Sequence, residues 1–444
     1  MQSTHEDVAV EALRHMIRNA CVNDGSPDSG FEARNVDVVR ALVEGPGIEV
    51  ETYESRPGRN NLVARIAGNE PTAPSMCWLA HTDVVPVNPD GWDHDPFGGE
   101  IIDGEVWGRG AIDMLNMTSS MAVAMRRLAD SNFRPTGDLI FAAVADEEAG
   151  GTWGAKFLVD QHGDAIRSDY VITESGGFPM STPSGTALPV LIAERGLVWP
   201  TITVRGKPGH GSLPYGTDNA LVKAAEIVRR LAEFRTPVRV TKVWQDFIAG
   251  LGMPEPVLGM LTNADFVDGA LGTLPPGLAK LAYSSTRTTI AATGIDGGTK
   301  TNVIPDSVKI SLDVRMLPGD STAEVKMMLR DAIGDLLPDV TIDIVDAVEP
   351  TESPMDTPLW ESLGRVATGY YADSHLIPML MVGGTDNRWM RPTGAVGYGF
   401  GLFSRKLSLE DLATMGHGDN ERIDVESMHM ITAMWESLAR DFLG

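Results

Sequence analysis

Three apolar runs in the first half of the chain end in the same way. Residues 76–80 lead into His81 and Asp83, 139–145 into Asp146, Glu147 and Glu148, and 170–173 into Glu174. Each run is short and aliphatic or β-branched. The first two are followed by helix-like stretches, at 115–129 and 155–162. This is the pattern of parallel strands buried on both faces of an α/β sheet. Ligands of such sheets gather beyond the carboxyl ends of the strands, where these polar residues fall.

From Gly196 the pattern changes. It predicts a strand at 197–204, a helix at 219–233, strands at 288–295 and 308–316, a helix at 323–336 and a strand at 340–345. That β-α-β-β-α-β order is ferredoxin-like. Between its first helix and second strand lies 236–287, rich in Pro, Gly and Leu, which predicts an insertion of short helices. After Pro350 the α/β style resumes, with strands at 379–382 and 395–399. The closing helix, Val425–Leu443, turns Met428, Ile431, Trp435 and Leu438 inward. The expectation is an α/β domain with a mostly parallel central sheet, interrupted by a smaller α+β domain. No internal repeat and no low-complexity tract is found.

Composition narrows the function. The chain has 444 residues, enough for two or three domains, with 43% hydrophobic and 22% charged residues, an ordinary globular balance. Its net charge of −25 repels phosphate backbones and anionic membranes, so neither nucleic acid nor a membrane is an expected partner. No run approaches the ~18 consecutive apolar residues of a membrane helix. The N-terminal stretch is amphipathic (Val8, Ala12, Leu13, Met16 and Ile17 share a helical face) and lacks a signal-type apolar core. Cys21 and Cys77 are too few for a disulfide framework or a thiolate zinc site, and a cytoplasmic setting is expected.

Singly, the polar residues at the strand ends are ordinary. A lone histidine there is commonly structural, Glu147 and Glu148 suit a helix N-terminus, and Asp113 could cap the helix that follows it. Together His81, Asp113, Glu148, Glu174 and the distant His417 form a different picture. Imidazoles and carboxylates suit zinc, and two metals sharing one carboxylate need about five such ligands on converging loops. No H-E-x-x-H helix, P-loop, nucleophile elbow or paired C-x-x-C competes with this reading.

The ordered motifs carry a resemblance. They are His81-Thr82-Asp83-Val84-Val85-Pro86-Val87, Trp92, Pro96-Phe97, Trp107-Gly108-Arg109-Gly110 and Asp146-Glu147-Glu148. Downstream follow Gly209-His210-Gly211-Ser212, Thr301-Asn302-Val303-Ile304-Pro305 and Gly383-Gly384-Thr385-Asp386. Over nearly its whole length the chain resembles the dinuclear zinc hydrolases that include aminoacylase, carboxypeptidase S, glutamate carboxypeptidase, acetylornithine deacetylase and succinyl-diaminopimelate desuccinylase. The first motifs are especially like the carboxypeptidase S branch.

The resemblance implies a zinc-exopeptidase-like catalytic domain from 1–195 and 350–444, with a lid or dimerisation domain inserted at 196–349. It implies two zinc ions, with cobalt or manganese as alternatives. His81 and Glu174 would hold one, Glu148 and His417 the other, and Asp113 would bridge them through a cis peptide to Met114. Asp83 would orient His81, and Glu147 would be the general base toward a metal-bridging water. His210 would stabilise the oxyanion, reaching into the partner's site if the chain is a homodimer. Asn302, Arg315 and Arg388 would bind substrate. The expected substrate is an N-acyl amino acid or small peptide with a free carboxylate. A narrow biosynthetic deacylase (desuccinylase or deacetylase type) and an inactive binding protein on the same fold are the alternatives. Leu115 and Asn116 depart from the Lys-Gly usual in the family after the bridging aspartate, and His94 and Asp95 read as structural loop residues.

Overall fold

The computed structural model describes residues 5–345 and 347–444. Its larger sheet has ten strands. Leu139–Val144, Met76–His81, Tyr170–Thr173 and Val396–Gly399 lie side by side and parallel at its centre. One flank is the antiparallel pair Glu49–Arg56 and Arg59–Ile66. The other is built on Gly185–Glu194, which pairs with Val396–Gly399, Ser374–Met381, Met180–Thr182 and Thr351–Glu352.

The uninterrupted apolar runs follow from burial on both faces. Met76, Trp78 and Ala80 pack into a core with the helices His5–Asn19, Ala33–Val43, Leu115–Asp130 and Val425–Leu443. The alternate residues Cys77 and Leu79 face a second core with Ala155, Leu158 and Met390. Leu139–Val144 divides its side chains in the same way. Period two along the strand, with helices on both sides, leaves no polar face to write into the sequence. Met428, Ile431, Trp435 and Leu438 are all fully buried, as the periodicity predicts.

The second sheet runs in the order Val340–Asp343, Thr201–Arg205, Ser307–Met316, with Thr289–Gly297 also on Ser307–Met316, and every pairing is antiparallel. The helices Ala220–Glu233 and Thr322–Ile333 close a separate core over it. The predicted strand 197–204 is interrupted at Pro200, which has no N–H to give. The register nonetheless continues, with Val198 opposite Val314 and Thr201 opposite Ser311. The helix expected over 323–336 stops at Ile333, because Gly334 turns left-handed at φ 63°.

The predicted insertion is four helices, Lys242–Gly250, Glu255–Leu261, Val267–Leu271 and Pro276–Ser285. Their apolar side chains, Trp244, Phe247 and Ile248 among them, pack with Ala187 and Ile377 of the larger sheet. The sequence grouped them with 196–349; their core contacts are with the other sheet. Among the described residues no helix is long and apolar enough to cross a membrane.

Candidate metal centre

His81 is the last residue of its strand and is almost wholly buried. Its Nδ1 lies 3.1 Å from the backbone oxygen of Asp83. A carbonyl can only accept, so Nδ1 carries a proton, and Nε2 is the nitrogen turned away from Asp83. There it meets Asp113 Oδ1 at 3.1 Å and Glu174 Oε2 at 3.8 Å. The other oxygen of Asp113, Oδ2, is 3.2 Å from His417 Nε2, which is 3.1 Å from Glu148 Oε2. One carboxylate thus divides its two oxygens between two histidines, each with its own glutamate. The donor atoms of His81, Asp113 and Glu174 lie within 4.8 Å of one another, as do those of Asp113, Glu148 and His417.

Local backbone geometry aims these groups. The Asp113–Met114 peptide is cis. Asp146 takes the left-handed region (φ 71°) at the end of its strand, turning the chain so that Glu147 and Glu148 follow at the site. Its carboxylate is held by Arg59 at 2.8 Å, Asn23 at 3.1 Å and the Trp153 N–H at 2.9 Å. Asn23 also donates to Asp83 Oδ2 (2.8 Å), and the Glu148 N–H reaches the same oxygen at 3.2 Å. Arg59, Asn23 and Glu32 make a buried framework that the motifs did not reveal. Asn23 lies in an early loop, Glu32 at the start of the helix Ala33–Val43 and Arg59 at the start of a strand paired on both sides, and no spacing links them to the acidic loop.

The electrostatics are those of several carboxylates buried close together. Burial, and then the charge of Asp113, raise Glu148 from 4.5 to about 8 and lift Glu174 well above the carboxylate range. Burial also raises Glu147, against the pull of the Arg388 guanidinium that it contacts. Asp113 moves the other way: burial opposes its charge, but hydrogen bonds from His417 and His81 hold it well below the usual value. Burial opposes a charge on His81 as well, yet contacts to Asp113, Asp83 and Glu174 raise it well above 6.5. Glu148 Oε1 is buried with no hydrogen-bond partner among the described residues. Two imidazole nitrogens, which would give up their protons to an ion, and converging carboxylate oxygens, one of them orphaned, fit two divalent cations of the zinc type.

The remaining candidates are placed less closely. Arg388 stands beside Glu147. Arg315 is engaged by Asp313 through Nε (2.8 Å) and Nη2 (3.0 Å). Asn302 is exposed, and its backbone oxygen accepts from Gly211 at 2.8 Å. His210 is exposed in a two-residue strand opposite Val303. Its hydrogen bonds are local, from the N–H (3.2 Å) and with the hydroxyl (2.7 Å) of Ser212 to Nδ1. Leu115 packs close to Gly110, and Asn116 is buried with neither amide atom hydrogen-bonded among the described residues. Asp386, also buried and unpaired by hydrogen bonds, joins the group around Glu147 and Arg388.

Known proteins share this arrangement of chain. Aminoacylase-1 of Homo sapiens is 28% identical over 364 residues, spanning 81% of this chain and 79% of its own. The M20 family metallo-carboxypeptidase Sso-CP2 from Sulfolobus solfataricus has the same fold, with a TM-score of 0.72 over 98% of this chain and 99% of its own at 16% identity. So has the YXEP protein of Bacillus subtilis, described as a dinuclear metal binding peptidase (TM-score 0.58, 14% identity, 98% and 99% covered). The model of peptidase family M20/M25/M40 matches residues 77–441, which takes in every cluster residue from His81 to His417, and the chain belongs to that family of hydrolases.

Proposed function

We propose that the protein is a dinuclear metallohydrolase that cleaves the amide bond of an N-acyl amino acid or small peptide beside a free carboxylate. The observation carrying this reading is the divided carboxylate of Asp113, with one oxygen toward His81 and the other toward His417. His81 and Glu174 would hold one ion, Glu148 and His417 the other, and Asp113 both. Zinc is the metal proposed, with cobalt or manganese able to serve the same donors. Bound there, the ions supply Lewis acidity to the scissile carbonyl and make water more acidic.

The protein's own groups then have distinct tasks. Glu147 takes the proton of the attacking water as its oxygen bonds to the carbonyl carbon, and delivers it to the amine nitrogen as the C–N bond breaks. Burial raises its proton affinity, as a base needs, and its neighbour Arg388 opposes that rise and favours the charged form. Asp83 orients His81, fixing the tautomer through the shared Nδ1 hydrogen bond. In His210, the Ser212 N–H makes Nδ1 an acceptor, which leaves the proton on Nε2 for an oxyanion.

We propose further that within 196–349 the part built on the second sheet, apart from the four helices packed on the larger one, acts as a lid over the site and as a dimer contact, bringing His210 and the substrate-binding Asn302 and Arg315 to it. Two features support a homodimer. Thr289–Gly297 is an edge strand exposed over most of its length, and Tyr215, Leu221 and Val222 stand exposed nearby in sequence to His210. Arg388, already beside Glu147, is the substrate-binding candidate within the cluster.

The test is a substrate panel of N-acetyl amino acids, dipeptides, their carboxyl-amidated forms and N-succinyl-diaminopimelate. Hydrolysis of free-carboxylate N-acyl amino acids or dipeptides, abolished by a chelator and lost on amidation, is expected. Turnover of N-succinyl-diaminopimelate alone would replace this reading by that of a narrow deacylase, and chelator-resistant turnover would overturn it.

A further inference from the structure

Glu421 is fully buried, and its carboxylate accepts four hydrogen bonds from the loop that carries Asp113. Oε1 accepts from the N–H of Ile112 at 2.7 Å and of Asp113 itself at 3.0 Å. Oε2 accepts from the Gly110 N–H at 3.1 Å and from Arg109 Nη1 at 2.7 Å. Arg109, only 2% exposed, turns its Nη2 to the backbone oxygen of Gly418 at 2.8 Å, next to His417. The backbone of Glu421 joins in, its oxygen taking the Gly108 N–H at 2.9 Å. The loop has no sheet or helix to satisfy these donors, so one distant side chain does so. Just beyond, Arg422–Asp424 pairs with Glu105–Trp107 and fixes the two segments side by side.

The consequence is a direct link between two candidate ligands. Asp113 and His417 lie far apart in sequence, yet each stands within a few residues of the Arg109–Glu421 pair. We infer that Glu421, with Arg109, is a positioning residue for the metal centre: it sets the Asp113 carboxylate against His417 and so tunes affinity for the ion that those two residues share. This inference rests on the dinuclear reading above. The acceptor arithmetic makes the role testable. A glutamine at 421 has one acceptor oxygen and a donor NH2 group. Whichever way it turns, the NH2 faces either the N–H groups of Ile112 and Asp113 or those of Gly110 and Arg109. Two buried donors are then left opposed.

The experiment titrates chelator-stripped protein with zinc chloride in a calorimeter, comparing wild type, Glu421→Gln, Arg109→Lys and the control Leu363→Ala. Leu363 is fully buried in the helix Pro358–Tyr370, and its truncation lowers stability while removing none of the hydrogen bonds made by Arg109 and Glu421. Wild type should bind two ions per chain. Glu421→Gln should bind one of them roughly 10–100-fold more weakly, the size of effect seen when groups supporting metal ligands are removed. Leu363→Ala should keep both affinities. Arg109→Lys, which retains the charge but loses the second guanidinium contact, should weaken the same ion to a smaller extent; it decides the matter if Glu421→Gln does not fold. Two unchanged affinities in a folded Glu421→Gln, or an equal loss in Leu363→Ala, would overturn the inference and leave the dinuclear reading standing. Fewer than two ions on wild type would instead overturn the dinuclear reading.

Discussion

Removing the metal from this centre should make stability fall as pH rises, with a size set largely by Glu148. Burial and the nearby Asp113 charge raise that carboxyl from 4.5 to about 8. A carboxyl raised on folding binds its proton more tightly in the folded chain. Its contribution is therefore harmless below the unfolded value of 4.5 and increasingly unfavourable as pH rises toward about 8. At about 1.4 kcal/mol per unit, going from pH 5 to pH 8 costs about 3–4 kcal/mol. His417, raised to about 11 by hydrogen bonds to Asp113 and Glu148, acts in the same direction above its ordinary 6.5. Its favourable contribution is complete below that value and drains away as pH climbs. For 444 residues the entropy of unfolding is about 0.9 kcal/mol/K, so Glu148 alone lowers Tm by about 4 °C. Divalent cations bound there would replace the protons and balance the carboxylates. Scanning calorimetry at pH 5 and pH 8 should show the chelated protein losing about 4 °C or more while the zinc-saturated protein does not. Glu148→Gln should flatten the slope of the chelated form. If the chelated protein gains Tm toward pH 8, or Glu148→Gln keeps the full slope, the electrostatic account of the cluster fails.

Other substitutions separate the proposed roles. Glu147→Gln should retain both ions by elemental analysis and lose turnover by roughly 10²–10⁴-fold, because an amide cannot carry the proton; release of metal would reassign Glu147 and Glu148. Asp83→Asn should weaken zinc binding by about 10–100-fold in a titration, since His81 keeps the backbone oxygen at its Nδ1 but loses the carboxylate charge that lies 3.5 Å from it, and unchanged affinity would remove Asp83 from the site. His210→Ala should keep metal and fold and lose on the order of 10²–10³-fold in kcat. Mixing it with Glu147→Gln under subunit exchange should restore activity if His210 serves the partner's site, whereas verified exchange without recovery would confine it to its own chain.

The sequence was most readable where burial is complete. Met76–His81 and Leu139–Val144 carry apolar residues on both faces, and the polar residues that follow mark the carboxyl ends at which the cluster forms. The hairpin partner Glu49–Arg56 escaped because it is a charged edge strand with no buried face to print a pattern. Gly185–Glu194 escaped because Pro189 argues against a strand, although here it lies between two paired neighbours. Within the site, the candidate residues were legible in the sequence, and the structure brings His81 beside Asp113 and His417 beside Glu148. The supports were not. Glu32, Arg59 and Asn23 hold Asp146 across long stretches of chain, and Glu421 holds the Asp113 loop over a separation of 308 residues. Such contacts exist only once the sheet has brought the loops together, so no local spacing encodes them.

The most direct test of the central claim is anomalous diffraction at the zinc edge from crystals of the zinc-loaded protein. The account predicts two strong peaks per chain, one against His81 and Glu174 and the other against Glu148 and His417, with an oxygen of Asp113 on each. A single peak, or two peaks of which Asp113 touches only one, would contradict it.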